Sequence, residues 1–263
     1  MQEEAELAQF KSDHQLLQHE WMQRPARRQV SELKRDTAYV EGNYDYNIWY
    51  DKFLTDRNAD KNEERALSLY KLRPQVDTGF TKADKLEGRG ATYFCVYFAR
   101  GCCSEGVNCK FYHRVPTETD LLVDNNLRDV FGRTRHATHK DNYEGVGSFG
   151  KDCDTLCVTH ILLDPQQQAA AGHSTTAMTQ KDIIRLVYEH FSVYGEIRDI
   201  HFNQGRFAAY VKFAHRNFAE FAREAMHNQV LVEGVKEPIR IQWAVYDNPF
   251  EQTKAELAAR DVK

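Results

Sequence analysis

The second half of the chain shows the hydrophobic spacing of strands that alternate with helices. Strands are predicted where apolar residues alternate with polar ones or form a short run, in residues 155–163, 196–203, 206–213 and 239–244. Ile183, Val187 and Phe191 form one helical stripe after the cap residue Thr179, and residues 218–226 carry a second apolar helical face. The order βαββαβ predicts an α+β ferredoxin-like sandwich of one sheet and two helices.

The first half of the chain has weaker periodicity and divides mainly by composition. Aromatic residues cluster between Tyr39 and Phe53, and a helix is predicted near residues 62–72, before Pro74. This aromatic density is more typical of a small core than of a base-stacking surface. The predicted divisions are a helical tail at 1–36, the aromatic-rich segment at 37–88, a cysteine-rich segment at 89–115, an irregular connector at 116–152, the sandwich at 153–246 and a C-terminal tail at 247–263.

Composition and charge direct attention to the centre of the chain. Of the 263 residues, 41% are hydrophobic and 28% are charged, and the formal net charge of −4 by itself argues against an RNA-binding protein. Between residues 89 and 140, however, lysines and arginines outnumber the acids. We find no apolar run as long as a membrane span and no signal peptide. We therefore expect no membrane partner and a reducing compartment, in which cysteines bind metal rather than form disulfides.

A cysteine–histidine cluster lies in this basic centre, with the spacing C-x7-C-x5-C-x3-H: Cys95, Cys103, Cys109 and His113. Three thiolates and one imidazole suit the tetrahedral coordination of zinc and leave no open position for catalysis. The pattern therefore predicts one structural zinc ion. Cys102 is an alternative to Cys103 and would lengthen the next loop by one residue. Cys153 and Cys157 lie far along the chain and are predicted to be small buried hydrophobic residues.

Aromatic and basic residues lie between and beside the four ligands. Single-stranded RNA is bound when bases stack on aromatic rings and cations contact the phosphates. The candidate RNA contacts of this segment are Tyr97, Arg100, Lys110, Phe111 and Arg114. Some rings could instead shield the metal, and we expect about half of them to face inward.

Two predicted strands of the sandwich resemble the motifs of an RNA recognition motif. Residues 206–213 resemble its octapeptide, and residues 156–161 resemble its hexapeptide. In that family three positions present rings to RNA. Here those positions are Cys157, Ala208 and Tyr210, so only Tyr210 keeps a ring.

These replacements leave two interpretations of the sandwich open. Arg206 suits a phosphate contact and Phe202 could add a ring, so Phe202, Arg206 and Tyr210 are the candidate RNA contacts of this domain. Because one base stack contributes roughly 1–3 kcal/mol, the loss of two rings also favours a domain that mainly binds protein.

Further motifs flank the finger and the sandwich: YNIWYDKF at 46–53, NLRDVFGR at 126–133, GVGSFG at 145–150 and FAREAMHNQ at 221–229. Together with one finger ahead of one RNA recognition motif, they resemble the fungal pre-mRNA splicing factors of the Cwc-two family, relatives of the human RNA-binding-motif splicing protein twenty-two. The resemblance extends from about residue 39 to residue 249.

The resemblance implies both a fold and a role. It implies that residues 37–88 form a torus domain that wraps the zinc finger, and that finger, torus and connector pack on the RNA recognition motif as one unit. It also implies a nuclear protein, associated with the nineteen complex and other spliceosome proteins, that contacts U6 snRNA and the pre-mRNA intron and helps the catalytic RNA core to form. On this reading Arg128, Arg133, Arg135 and Lys140 of the connector become candidate RNA contacts.

Other functional classes fit the sequence less well. A protein-binding scaffold within a ribonucleoprotein, with only incidental RNA contact, is the main alternative. A free regulator of messenger RNA is less favoured because such proteins usually repeat their fingers. We expect no enzyme and no small-molecule substrate, since the sequence shows no phosphate-binding glycine loop and no nucleophile–base constellation.

Overall fold

The computed structural model describes residues 20–32, 46–47, 52–53, 67–86, 93–123, 126–161, 179–232 and 237–251. In the N-terminal half, two short antiparallel strands are present, β1 (Tyr46–Asn47) and β2 (Lys52–Phe53). Two single-turn helices follow, α1 (Pro74–Asp77) and α2 (Val96–Ala99). The other described residues of this half form the helical end Glu20–Trp21, short 3-10 turns, isolated β-bridges and irregular chain.

The C-terminal half contains one four-stranded antiparallel sheet: β3 (Thr155–Thr159), β4 (Ile197–Asn203), β5 (Ala208–Phe213) and β6 (Arg240–Trp243). Its strand order is β4-β5-β3-β6. Each strand lies within a segment that the hydrophobic pattern predicts, with shorter ends. β3 stops before His160, whose φ of 59° leaves the extended region. The fold is therefore mixed α and β around an antiparallel sheet.

Two longer helices connect these strands and cover one face of the sheet. α3 (Gln180–Phe191) begins with a capping box, in which Thr179 and Asp182 satisfy each other's backbone amides, as the sequence predicts. α4 (Arg216–Ala225) lies between β5 and β6 in the chain. Within the described ranges, none of the helices has both the length and the apolar character that a membrane span requires.

The cysteine-rich segment and the connector cover the outer side of α4. Every residue of α4 is buried, including its charged ones. Phe221 is the central contact, with ring centroids 5.8 Å from Phe131, 6.1 Å from Phe94 and 6.4 Å from Phe98. Side chains from both halves of the chain thus share one continuous core.

Some predictions for the N-terminal half fall outside the described residues, and one is wrong. The tail 1–36 is described only over 20–32, and the aromatic cluster only in the backbone of β1 and β2. The predicted helix near 62–72 is absent from its described part, because residues 67–73 are irregular. Pro74 instead begins α1, since the fixed φ of proline suits the first position of a helix.

Candidate metal centre and nucleic-acid interface

Three of the four predicted ligands lie beside short backbone structures. Cys95 precedes α2, and its Sγ accepts a hydrogen bond from the Phe98 amide at 3.4 Å. Cys109 follows the 3-10 turn Gly106–Asn108. His113 pairs with Gly79 in an isolated β-bridge. Cys95, Cys109 and His113 are therefore each held by local hydrogen bonds in a helix cap, a turn or a bridge.

These residues form a closed cluster that can hold a metal ion. The ligand atoms of Cys95, Cys103, Cys109 and His113 all lie within 4.8 Å of one another, and all four residues are buried. His113 is fully buried and stacks on Phe98, with centroids 4.7 Å apart and planes at 15°. Among the described residues neither ring nitrogen of His113 has a hydrogen-bond partner. A buried imidazole without partners is costly, so the site fits a metal ion bound through one of these nitrogens.

The choice between the two adjacent cysteines is resolved by geometry. Cys103 belongs to the cluster, whereas Cys102 is buried outside it. Gly101 turns the chain with a φ of 77°, and the amides of the two cysteines then bond in different directions. The Cys102 amide donates to the Tyr97 carbonyl at 2.8 Å, and the Cys103 amide donates to Oε1 of Gln29 at 2.8 Å.

The three clustered thiols are close enough to share protons. Hydrogen bonds from Cys109 and Cys95 hold the pKa of Cys103 far below its ordinary value. The bond to Cys103 in turn raises the pKa of Cys95, and it raises the pKa of Cys109 to about 11. A divalent cation would replace those protons and allow all three sulfurs to bind as thiolates, so the donor set fits such an ion.

Two N-terminal segments, 24–29 and 77–81, contact the cluster, and no motif or spacing in the sequence marks the residues that make these contacts. The amides of Ala26 and Phe80 make backbone hydrogen bonds that pair the segments 24–29 and 77–81. The buried Asp77 carboxylate accepts hydrogen bonds from Arg27 at 2.7 Å and Gln29 at 3.1 Å. Gln29 also bonds to Cys103, so this pair of segments supports the metal loop directly.

The aromatic residues between the ligands divide between core and surface. Phe98 is fully buried against His113, and Tyr97 and Tyr112 are half-buried. Phe111 is 43% exposed, and its neighbour Lys110 is exposed as well. Of the two finger rings predicted to contact RNA, Phe111 therefore presents the larger free surface and Tyr97 the smaller one.

The predicted RNA contacts of the connector and sheet include few exposed cations. Arg128 is exposed, with its guanidinium 5.9 Å from the Tyr93 ring centroid. Arg206 is exposed at the β4–β5 turn and pairs with Asp247 at 2.5 Å. Lys140 is half-buried. Exposure therefore keeps Arg128 and Arg206 available to a ligand.

Two predicted contacts beside the finger are engaged in ion pairs. Arg100 donates to Glu224 of α4, at 2.7 Å from its Nη2. Arg114 forms a two-pronged pair with Asp120 at 2.6 Å and lies 4.7 Å from the Tyr112 ring centroid. Their side chains are 17% exposed, so both arginines mainly stabilise the finger's own structure.

Arg133 and Arg135 correct the expectation that connector arginines contact RNA. Both are buried, with whole-residue exposures of 4% and 2%. Arg133 pairs with Asp129 at 2.7 Å and with Glu224 at 2.9 Å, and Arg135 pairs with Glu220 at 2.8 Å. A phosphate cannot reach these guanidinium groups, because they neutralise carboxylates inside the protein.

The sheet corrects two further expectations. Phe202 faces the helices and is 5% exposed, because alternate residues of a strand point to opposite faces. Tyr210 lies on the other face, opposite His201 and Cys157, yet it is only 3% exposed. Phe250 packs against the cluster that Tyr210 forms with Ala208 and Ala244, so the chain's own C-terminal segment covers the centre of the face.

Comparison with known proteins gives consistent results over most of the chain. The Torus domain family matches residues 21–133, a range that includes the four clustered ligands. The chain is 36% identical over 235 residues to a protein of Candida albicans named pre-mRNA-splicing factor CWC2, a match that covers 88% of this chain and 58% of the relative.

Two further relatives carry equivalent names. The CWC2 protein of Leptosphaeria maculans is 36% identical over 86% of this chain and 49% of its own length. The cwf2 protein of Schizosaccharomyces pombe is 35% identical over 83% of this chain and 52% of its own length. The chain spans about half the length of the curated relatives that it matches.

Proposed function

We propose that this chain is a splicing factor that binds RNA. It matches the Torus domain family, and it is homologous over most of its length to the Cwc2 pre-mRNA-splicing factors, the family that its motifs resemble. The proposed RNA partners are U6 snRNA and the pre-mRNA intron, as the resemblance implies. The proposed protein partners are the nineteen complex and other spliceosome proteins, in the nucleus. The proposed role is to help the catalytic RNA core to form, through binding and not through catalysis.

The observation that carries this proposal is the exposed part of the metal loop. Lys110 and Phe111 lie between the ligands Cys109 and His113, whose positions are fixed, and both side chains face solvent. A ring and a cation side by side on a rigid loop can stack one base and contact one phosphate. Holding the loop in advance reduces the entropy lost on binding.

We propose a single structural zinc ion at this loop. Three cysteines and one histidine are a typical structural zinc set, and four protein ligands leave no position for a reacting water. The ion would stabilise the folded finger, because so small a segment has little core of its own.

We propose that the sheet and its two helices form an RNA recognition motif. The strand order β4-β5-β3-β6 and the positions of α3 and α4 between strands support this assignment. The centre of its exposed face is covered by Phe250, so this domain is proposed to contact RNA at its rim, where Arg206 is exposed.

RNA binding by the intact chain tests the proposal. The variant that combines Lys110→Glu with Phe111→Ala is expected to bind U6 RNA roughly tenfold or more weakly, since one stacked base is worth about 1–3 kcal/mol. Lys181→Glu, an exposed charge reversal on α3, is the matched control and should bind like the original protein. Equal affinity of the finger variant and this control, with bound metal retained in both, would refute RNA contact at the finger.

A protein-binding scaffold is a second candidate, favoured by the ion pairs of the predicted RNA contacts. Arg100, Arg114, Arg133 and Arg135 all neutralise carboxylates of the chain itself. Crosslinking in assembled splicing particles separates the two candidates. Crosslinks from RNA to residues 93–123 favour the RNA-binding function, whereas crosslinks to proteins alone favour the scaffold.

A further inference from the structure

Four exposed cations from three separate stretches of chain surround the metal loop 103–113: Arg28, Lys82, Lys85 and Lys110. Only Lys110 belongs to the cysteine-rich segment itself. The other three belong to the N-terminal segments that encircle the finger, and neither motif nor spacing marks them in the sequence.

Backbone contacts fix the first two of these segments against the loop. A Cβ atom added to Gly106 would lie 2.9 Å from the Arg28 amide nitrogen, so the chain at Arg28 passes directly over the 3-10 turn. The Lys82 amide donates to the Val107 carbonyl at 3.0 Å. Main-chain contacts therefore place the segments that carry these cations at one edge of the metal loop, whatever conformation their long side chains adopt.

The aromatic part of this edge is positioned in the same way. The Thr81 hydroxyl donates to the Phe111 carbonyl at 3.0 Å, which places Phe111 beside the lysine-bearing segment. The Lys85 ammonium lies 5.9 Å from the centroid of the Phe80 ring. Cations and rings thus lie together at this edge, which is the combination that binds the backbone and bases of a single strand.

The cations on this edge differ in one important respect from the two arginines of the cysteine-rich segment. Arg100 and Arg114 form ion pairs, whereas the four edge cations have no ion-pair partner among the described residues. Of the nearby carboxylates, Asp84 accepts hydrogen bonds from the Thr81 amide and hydroxyl at 2.7 and 3.1 Å, and Glu105 is exposed. The cations therefore remain in excess, and their charge is free to meet a polyanion.

We infer that this edge, formed by Arg28, Lys82, Lys85, Lys110 and Phe111, binds the sugar–phosphate backbone of single-stranded RNA and stacks one base on Phe111. The inference rests on the proposed RNA-binding function and extends it to residues of the encircling segments. The cations supply affinity without base recognition, because phosphates carry no sequence information.

The salt dependence of binding tests the phosphate contacts. The probes are a U6 RNA fragment and an oligouridine of equal length, titrated with the full chain over a range of salt concentrations. Each phosphate contact on a single strand contributes about 0.7 to the slope of log K against log salt. Lys82→Ala combined with Lys85→Ala should therefore reduce the slope by about 1.4 on both RNAs.

Matched controls separate this inference from the proposed function. Lys181→Ala combined with Arg185→Ala removes two exposed cations from α3, on the side of the sheet opposite its exposed face, and the slope should stay that of the original protein. If the original protein binds neither RNA, the proposed function itself fails. If it binds but the Lys82/Lys85 variant keeps the full slope, or the control loses as much, only the present inference is overturned. Metal content and circular dichroism of each variant establish that it is folded.

Discussion

Cys102 and Cys103 are chemically identical neighbours with different roles in the molecule. Gly101 places the chain in a left-handed turn just before them, and their amides then donate to different acceptors, the Tyr97 carbonyl and Oε1 of Gln29. Only Cys103 points to the cluster, where its sulfur lies within 4.8 Å of the other ligand atoms. The position of each residue in the folded chain, and not its type, decides which of the two cysteines joins the cluster.

This difference predicts the behaviour of two single substitutions. Cys103→Ala should abolish metal binding, because three remaining ligands no longer close the tetrahedral set. Cys102→Ala should retain one metal ion per chain, with a modest loss of stability from the smaller buried side chain. Metal content measured by atomic absorption checks both expectations, and loss of the ion from Cys102→Ala would contradict the assigned ligand.

At the scale of elements, α4 joins the two halves of the chain through its polar side as well as its apolar one. Glu224 is buried and bonds to Arg100, Arg133 and Arg223, which come from the finger, the connector and α4 itself. Burial opposes ionisation of this carboxyl, but the arginine charges hold the pKa of Glu224 well below its ordinary value. The interface therefore depends on a carboxylate that stays ionised.

Because Glu224 lies at the centre of this buried network, replacing it with glutamine is expected to reduce the stability of the protein strongly. Glu224→Gln should lower the free energy of unfolding by about 3–5 kcal/mol, because it leaves buried guanidinium groups uncompensated. Glu189→Gln is the control, since Glu189 forms an exposed pair with Arg185 and should change stability by about 0.5 kcal/mol or less. Urea denaturation of both variants measures the difference, and similar losses would contradict a special role of the network.

The lowered pKa of Glu224 also determines the pH range over which Glu224→Gln destabilises the protein. A carboxyl with a depressed pKa in the folded state contributes its full stability above its unfolded pKa and loses it as pH falls through the folded value. The difference between Glu224→Gln and the original protein should therefore be constant from about pH 6 to about pH 8.

At the scale of the whole molecule, the metal centre and the sheet have different sources of stability. The sheet and its helices share a core around Val158, Val187 and Val211. The finger and its encircling segments depend on the ligand cluster, to which Gln29 and Gly79 are tied by hydrogen bonds with Cys103 and His113. Loss of the ion should therefore affect the two regions unequally.

Removal of the metal by a chelator should release the finger first. Backbone amides between residues 94 and 113 are expected to lose protection from hydrogen exchange, while those of β3 and β5 keep theirs. α4 should show intermediate protection, because it loses the cover of Phe94 and Phe98 but keeps its contact with the sheet. Uniform loss of protection in all elements would contradict this separation.

The sequence by itself determined the features that depend on local spacing. The four clustered ligands, the order of strands and helices in the C-terminal half and the capping box at Thr179 all follow from residues a few positions apart. Such features can be predicted from the sequence because turn geometry and hydrophobic periodicity depend on residues that are close together in the chain. The family motifs were readable for the same reason.

Only the tertiary structure decided which cations and rings remain available to a ligand. Arg133 is 91 residues from Glu224 in sequence, and Tyr210 is covered by Phe250 from the far end of the chain. Arg28 likewise meets Gly106 only after the N-terminal segment has folded around the finger. Burial and ion pairing are properties of contacts between distant residues, so a charge that looks free in the sequence can be neutralised by the fold, and an unremarked lysine can be left exposed.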